Sequence, residues 1–302
     1  MDVCICGQGL SNIGTPGCEP IGGIAKKLII TALTGDDGVR NRILLDDTLD
    51  ETYFSDFVNQ TDASKRWLPT PLVENVEDIR DESIKQALNS GSALFVQQGI
   101  RNFTAVLTRE SSVLLGKLEA VRCFEVGVYV VDKNGNLHGN ISSDKLYLEP
   151  IPIDNGSWDP MLVKATDAEV QMIQLNYAFS SLAKDADLRM ILASEIVDFQ
   201  LLSLKGLLDV NVAVSAIIAT AFLAKLTLDY GSAKNPILVK KWVTGDFTLF
   251  NETTSLAVVV VASEAPDGSY TLTYIAQTAA DVLTLSATKS GFEIPDTTII
   301  AV

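Results

Sequence analysis

Residues 72–108 constrain this chain more than any other stretch. The first part, "LVENVEDIRDESI" (72–84), carries Glu74, Glu77, Asp78, Asp81 and Glu82 with apolar residues set singly among them. It has too few apolar side chains to fill a core, yet its spacing is too regular for a disordered tail. After the turn-forming "NSGS" (89–92) comes "ALFVQQGIRNFTAVLT" (93–108), mostly strand in character. Together they predict two long strands joined by a tight turn, a hairpin longer than a compact domain needs. A hairpin that cannot bury itself within one copy leaves open edges, and open edges pair with something else. On a regular strand, Asp78 and Glu82 share a face with Glu74, while Glu77 and Asp81 take the other. Arg80 interrupts the acids and is expected to pair with a carboxylate of a neighbouring copy. Just upstream, "SKRW" (64–67) offers Arg66 and Trp67 either as a cation–π anchor at an interface or as an exposed pair beside an edge tryptophan.

A chain of 302 residues exceeds what one hydrophobic core usually organises, so two domains are expected. The net charge of −15 excludes the basic footprint that nucleic-acid binders need. Nine of the 38 acidic and five of the 23 basic residues lie from 206 onward, so the acidic excess sits mainly in the first domain. Cys4, Cys6 and Cys18 fall in "CICGQGLSNIGTPGC", and Cys123 stands alone. That spacing does not match a zinc site, and the single histidine, His138, is remote. Residues 1–23 therefore read as a glycine-rich arm with reduced thiols. The start "MDVCICGQGL" lacks a basic region and an apolar stretch, and the longest apolar run (212–224) is too short to span a bilayer. A soluble protein made in the cytoplasm, with no membrane partner, is the expectation.

Residues 24–205 read as a β-rich domain with one or two helices. "AKKLIITAL" (25–33) predicts a strand, and 46–60 a short helix with Leu49, Tyr53 and Phe57 on one face behind capping residues. A second helix is expected over 111–122, capped by Ser111 or Ser112, with Leu114, Leu118 and Val121 inward. Phe124, Val126, Val128 and Val130 alternate on one strand, and Asn134-Gly135 marks a hairpin turn. Ile173, Leu175, Tyr177 and Phe179 form another inward face, followed by an ordered connector over 180–197. From 206 to 302 short strands alternate with turns, Pro266-Asp267-Gly268 among them. Ala224, Leu226 and Leu228 lie opposite Lys225, Thr227 and Asp229. This is the pattern of an immunoglobulin-like β-sandwich without the antibody cysteines and central tryptophan.

The inventory for chemistry is thin. His138, just after a hairpin turn, reads as a turn residue rather than a base. "CGQGLSNIG" has neither a preceding strand nor a lysine, so it is no phosphate loop. The five carboxylates of 74–82 would suit a cation or a glycosidase pair only in an aromatic-lined pocket, which the sequence does not suggest. No catalytic, cofactor-binding or metal residues are expected, and a carboxylate-using hydrolase ranks last among the readings.

The order of elements is itself informative. The arm "CICGQGLSNIGTPGC" comes first. "NQTDASKRWLPTP" leads into the hairpin, then come "LLGKLEAV", "VGVYVVDKNGNLHGNI" and "MIQLNYAF". Residues 1–200 in this order resemble the tail tube proteins of tailed bacteriophages, in the version found in phages of Bacteroidetes hosts. The resemblance implies a mainly β chain with an α+β first domain. That domain would be a tail-tube-type β-sandwich with a flanking helix and a long hairpin that forms an inter-subunit β-barrel, followed by an Ig-like β-sandwich. It further implies a virion structural protein made in the host bacterial cytoplasm, assembling as a homohexamer ring. Stacked rings would form the viral tail through which DNA is ejected. Its partners would be itself, other tail proteins and genomic DNA passing non-specifically, with no enzyme activity and no cofactor. Glu74, Glu77, Asp78, Asp81 and Glu82 would line the channel, where carboxylates repel phosphate and let DNA slide. Cys4, Cys6, Cys18, Arg66, Trp67 and Arg80 would lie between subunits. The alternative is a two-domain surface adhesin that binds through its Ig-like domain, with Trp242 as the lone aromatic candidate there.

Overall fold

The computed structural model describes residues 20–302 apart from Ser90 and Ala233. The chain is mainly β and divides into two compact units, one ending at Lys205 and one spanning Gly206–Val302. In the first unit a large sheet runs in the order Ile43–Leu44, Tyr147–Glu149, Leu137–Ile141, Val126–Asp132, Ala25–Ala32, Leu68–Pro69. Ile151–Pro152 adds to strand 126–132 and Leu188–Ile191 to strand 137–141. A four-stranded sheet lies in the order Asp159–Val163, Met172–Ala178, Arg101–Thr108, Glu74–Arg80. Between the two sheets, Leu28, Ile30, Val126 and Val128 meet Phe103, Leu107, Ile173, Leu175 and Tyr177 in one core. Helix Ser112–Ala120, capped by Ser111 as expected, contributes Leu118 to it.

The back of the large sheet is also covered. Helix Glu51–Val58, capped by Asp50, brings Phe57 and Phe54 against Trp67, whose ring lies 5.1 Å from that of Tyr129. Strand 126–132 is therefore buried on both faces, with Tyr129 and Val131 inside as well as Val126 and Val128. Val126, Val128 and Val130 share one face as expected, towards the core between the sheets, but Phe124 lies exposed before the strand begins. The helix buries Phe54 and Val58 most deeply, while Tyr53 and Phe57 are only half-buried, so its inward face sits one residue away from the expected one. The expected connector over 180–197 contains the strand 188–191, paired in the large sheet. The unit ends where Lys27, itself buried, donates to the carbonyls of Leu202 (2.7 Å) and Leu204 (2.5 Å). Burial, and then Lys205, push the Lys27 ammonium down to about 8.

In the second unit two sheets enclose a separate core. One runs Val260–Glu264, Ser269–Tyr274, Ala221–Gly231, Leu208–Ile218, Phe292–Glu293, with Pro236–Leu238 on strand 221–231. The other runs Leu256–Val258, Phe247–Asn251, Val282–Ala287, Thr297–Ile300. The alternation read from 221–229 holds: Phe222, Ala224 and Leu226 are buried and Lys225 is exposed. Asn251, at the end of its strand, is buried and satisfied by Asp281 and Gln277.

Candidate assembly surface

The acidic strand 74–80 is an edge of the four-stranded sheet, and its register contains the decisive irregularity. Glu74 lies opposite Val106 and Glu77 opposite Thr104, so the acidic strand holds one residue more than its partner between those pairs. Asn75 absorbs the extra residue in the left-handed region (φ 49), a conformation asparagine tolerates better than most side chains. The bulge reverses the face assignment that regular alternation predicts. Glu74 and Glu77 share the outer face, while Asp78 lies opposite the core residue Phe103 and Arg80 opposite Arg101. The expectation that Asp78 accompanies Glu74 is overturned by that single residue.

Around Glu74 and Glu77 the outer face mixes polar with apolar side chains: Val106 lies opposite Glu74, Ile79 opposite Asn102 and Met161 opposite Gln174. Asn102 and Thr104 flank them on the next strand, and Gln174 bonds to Asn176 (3.1 Å) on the one after. Asp159, opposite Asn176, completes the row on the far strand. Asp81 accepts from Asn102 Nδ2 (3.1 Å), and Glu82 is exposed where the strand stops. Among the described residues, strands 74–80 and 159–163 each pair along one side only. Pro160, which has no N–H to offer, sits on the second of these, as edge positions allow.

On the inner side, ionic pairs brace the sheet. Arg101 grips Asp78 with two bonds (2.6 and 2.5 Å) and lies over the Phe179 ring. Arg80 grips Asp185 with two bonds (3.0 and 2.7 Å) and donates to the Gly99 carbonyl (2.7 Å). Arg80 thus finds its carboxylate within its own chain, correcting the expected pairing with a neighbour. Asp185 lies more than a hundred residues away, where no sequence pattern announces it.

Beyond this braced base the hairpin continues outward. Strand Ile84–Ala87 pairs with Ala93–Gln97, and every residue of both is exposed. Ile84, Leu94, Phe95 and Val96 are each at least half exposed, with Phe95 at 59%. The hairpin is not the pair of unbroken strands expected: it is interrupted at 81–83 and 98–100. At the break Gly99 crosses so close to Asp81 that a Cβ there would lie 2.0 Å from the Asp81 carbonyl oxygen. The result is a stem fixed to the body and an apolar tip that none of the described residues covers.

Other expected contact residues lie elsewhere. Trp67 is 1% exposed inside the aromatic cluster, because helix 51–58 needs a large surface to close against the back of the sheet. It is no interface anchor. Arg66 is half-buried and directs its Nε to the Gln60 carbonyl (2.9 Å) rather than outward. Trp242 is 4% exposed and packs on Phe247 and Phe292 with Lys289 over its ring, so it presents nothing to a ligand. Cys4, Cys6 and Cys18 lie outside the described residues, and Cys123 is an exposed thiol. His138 approaches Asp132, with Nε2 3.2 Å from Oδ2. Among the described residues no group of His, Cys, Asp and Glu is arranged to hold a metal, and no helix is long and apolar enough to cross a membrane.

Comparisons with protein-family models, with curated proteins and with solved structures return no match for this chain. The functional reading accordingly rests on the geometry above.

Proposed function

We propose that this chain is a structural, non-catalytic subunit that self-associates into closed rings around an anionic channel, as the tail tube of a bacteriophage does. On this reading the first unit is a tail-tube-type β-sandwich and the second an Ig-like sandwich carried alongside. The observation that carries the proposal is the four-stranded sheet 159–163, 172–178, 101–108, 74–80. Among the described residues it has two unpaired edges, an outer face that carries Glu74, Glu77 and the Arg122-paired Asp159 among polar and apolar neighbours, and a continuation into a wholly exposed hairpin with an apolar tip. Such a sheet gains most by joining edge 74–80 of one copy to edge 159–163 of the next, since closure leaves no edge open. That face then lines water, and the carboxylates of Glu74 and Glu77 keep a passing polyanion from adhering. The exposed hairpin tip finds its cover on a neighbouring copy. Partners are the chain itself, the other proteins of a virion tail, and genomic DNA in transit.

Negative-stain electron microscopy of the purified protein tests this. Rings or tubes with an axial channel are the expected outcome, and a monodisperse monomer at high concentration overturns it. Deleting 206–302 should leave assembly intact.

A further inference from the structure

Strand Leu137–Ile141 borders a cleft that the assembly surface does not use. The strand pairs with Leu188–Ile191, where Arg189 lies opposite Gly139 and Ile191 opposite Leu137, and with Tyr147–Glu149, where Leu148 lies opposite Ile141. Between these strands and segment 45–49 opens a cleft of about 600 Å³, within the roughly 300–1,000 Å³ of sites for small organic ligands. Its floor is apolar, with Leu49, Leu148 and Ile191 buried and Met190 half-buried. Asp47, Lys145, Arg189 and Glu195 stand around it, all exposed.

These four charges are not equivalent. Glu195 accepts the Leu192 N–H (2.7 Å). Asp47 sits against the Tyr53 hydroxyl, which burial and then that carboxylate push up to about 12. Lys145 is fixed through its backbone: its N–H bonds to the Ser142 carbonyl (2.9 Å), and its φ of 62 lies in the left-handed region, which glycine or asparagine takes more readily. The adjacent Asp144 is engaged by the Ser142 hydroxyl and the Leu146 N–H (3.1 Å). Arg189 is fixed through Nη1, which donates to the carbonyls of Ala186 (3.0 Å) and Leu188 (2.6 Å). Its Nε and Nη2 remain open. That is the edge with which Arg101 holds Asp78 and Arg80 holds Asp185. Among the described residues neither Lys145 nor Arg189 pairs with a carboxylate.

We infer that this cleft binds a small amphiphilic carboxylate, its apolar body on Leu49, Leu148 and Ile191 and its head at Arg189 and Lys145. The floor supplies the affinity, because covering it removes apolar surface from water. The cations set the sign, because the carboxylates around the cleft already have partners while the guanidinium edge and the ammonium do not. Register gives the ligand a direction. Lys145 follows Ile141 and Arg189 lies opposite Gly139, whereas Glu195 lies beyond Ile191 at the other end of strand 137–141.

The test is an NMR titration of the full-length chain, labelled at leucine, isoleucine and methionine methyl groups, with octanoate. Octanol and octylammonium are the neutral and cationic probes of equal length. Octanoate should shift the methyl resonances of Leu49, Leu148, Met190 and Ile191 saturably, at a lower concentration than either other probe, and added salt should weaken it. Lys145→Asn, which suits the left-handed turn, and Arg189→Gln should each weaken octanoate roughly fivefold and leave octanol unchanged. The core methyl groups of Ile173 and Leu175 should keep their positions in both variants, which separates lost binding from lost fold. If one variant fails to fold, the other decides. No saturable shift at the four cleft residues with any probe overturns the site. Equal binding of octanoate and octanol, or octanoate binding unchanged in the folded variants, overturns the assignment to a carboxylate. The cleft is bounded by one copy alone, so octanoate binding and ring formation are decided by separate measurements.

Discussion

In the second unit, the outer side of strand 260–264 is met by the chain itself. The Thr244 hydroxyl accepts from the Ala262 N–H (3.1 Å) and reaches its carbonyl, while Glu264 takes the Lys241 N–H. In the first unit, strands 74–80 and 159–163 pair along one side only, and the hairpin beyond carries its apolar residues into solvent. Both units are β-rich with aromatic cores, so fold type does not account for the difference. An edge met by a neighbouring loop keeps a domain to itself, whereas strand 74–80, bent by the bulge at Asn75, and strand 159–163, carrying Pro160, are met on their outer sides by no other strand among the described residues. The contrast is one of degree: strands Leu256–Val258 and Thr297–Ile300 of the second unit also pair along one side among the described residues, but only the first unit carries a hairpin with both strands wholly exposed.

The sharpest way to break this comparison is to remove the tip. Replacing 84–97 with a short Asn-Gly turn should weaken assembly by roughly 100-fold or more, since several large apolar side chains lose their cover. The melting temperature of the first unit should hardly move. Loss of fold on this deletion would show that the hairpin belongs to the core after all.

Two aromatic substitutions sharpen it further. Trp67→Ala should cost about 3–5 kcal/mol by urea denaturation of the first unit, the range for large buried aromatics, and leave the second unit's transition in place. Phe95→Ala should change stability by no more than about 0.5 kcal/mol, yet weaken assembly about tenfold. Equal effects on stability would mean the tip is packed within the chain.

Acid should act on the first unit through Asp132. Burial alone would raise its carboxyl, but the bonds from Gly23, Asn136 and His138 outweigh that and hold it at about 2. A carboxyl depressed on folding stabilises above its unfolded value near 3.9 and loses that contribution as pH falls toward 2. Unfolding free energies from urea titrations at pH 5, 3 and 2 should therefore drop by about 2 kcal/mol in this window, and less in Asp132→Asn. Identical slopes for the two proteins would remove Asp132 from the account.

The smallest effect on stability should come from reversing the outer face. Glu74→Lys with Glu77→Lys should shift stability by no more than about 0.5 kcal/mol and leave assembly in place. The assembled variant should now retain double-stranded DNA at low salt and release it as salt rises. Filter-binding across a salt series reads this, and no retention at any salt would place those residues away from the channel.

Much of this organisation was legible in the letters. The helix caps at Asp50 and Ser111 and the Asn134-Gly135 turn rest on bonds between near neighbours in sequence, and the change at Gly206 and the alternation of 173–179 show in the order of residue types alone. The candidate surface was legible in composition but not in orientation. The acids of 74–82 were visible, whereas the bulge at Asn75 that sorts them depends on how strand 101–108 pairs with them. Trp67 and Trp242 read as surface candidates because nothing local says what packs on them. Phe57 and Tyr129 enclose the first, and Phe247 and Phe292 the second.

The sequence by itself determined where both helices and most strands form, that the chain has two units, and that one long hairpin carries more charge than a core accepts. Those outcomes follow from propensity, capping and alternation, which act over a few residues. Only the tertiary structure decided which carboxylates share a face, that Arg80 closes on Asp185, and that Asp132 holds Gly23. Each of these depends on groups brought together from distant parts of the chain, where a shift of one residue in register turns every side chain to the opposite side.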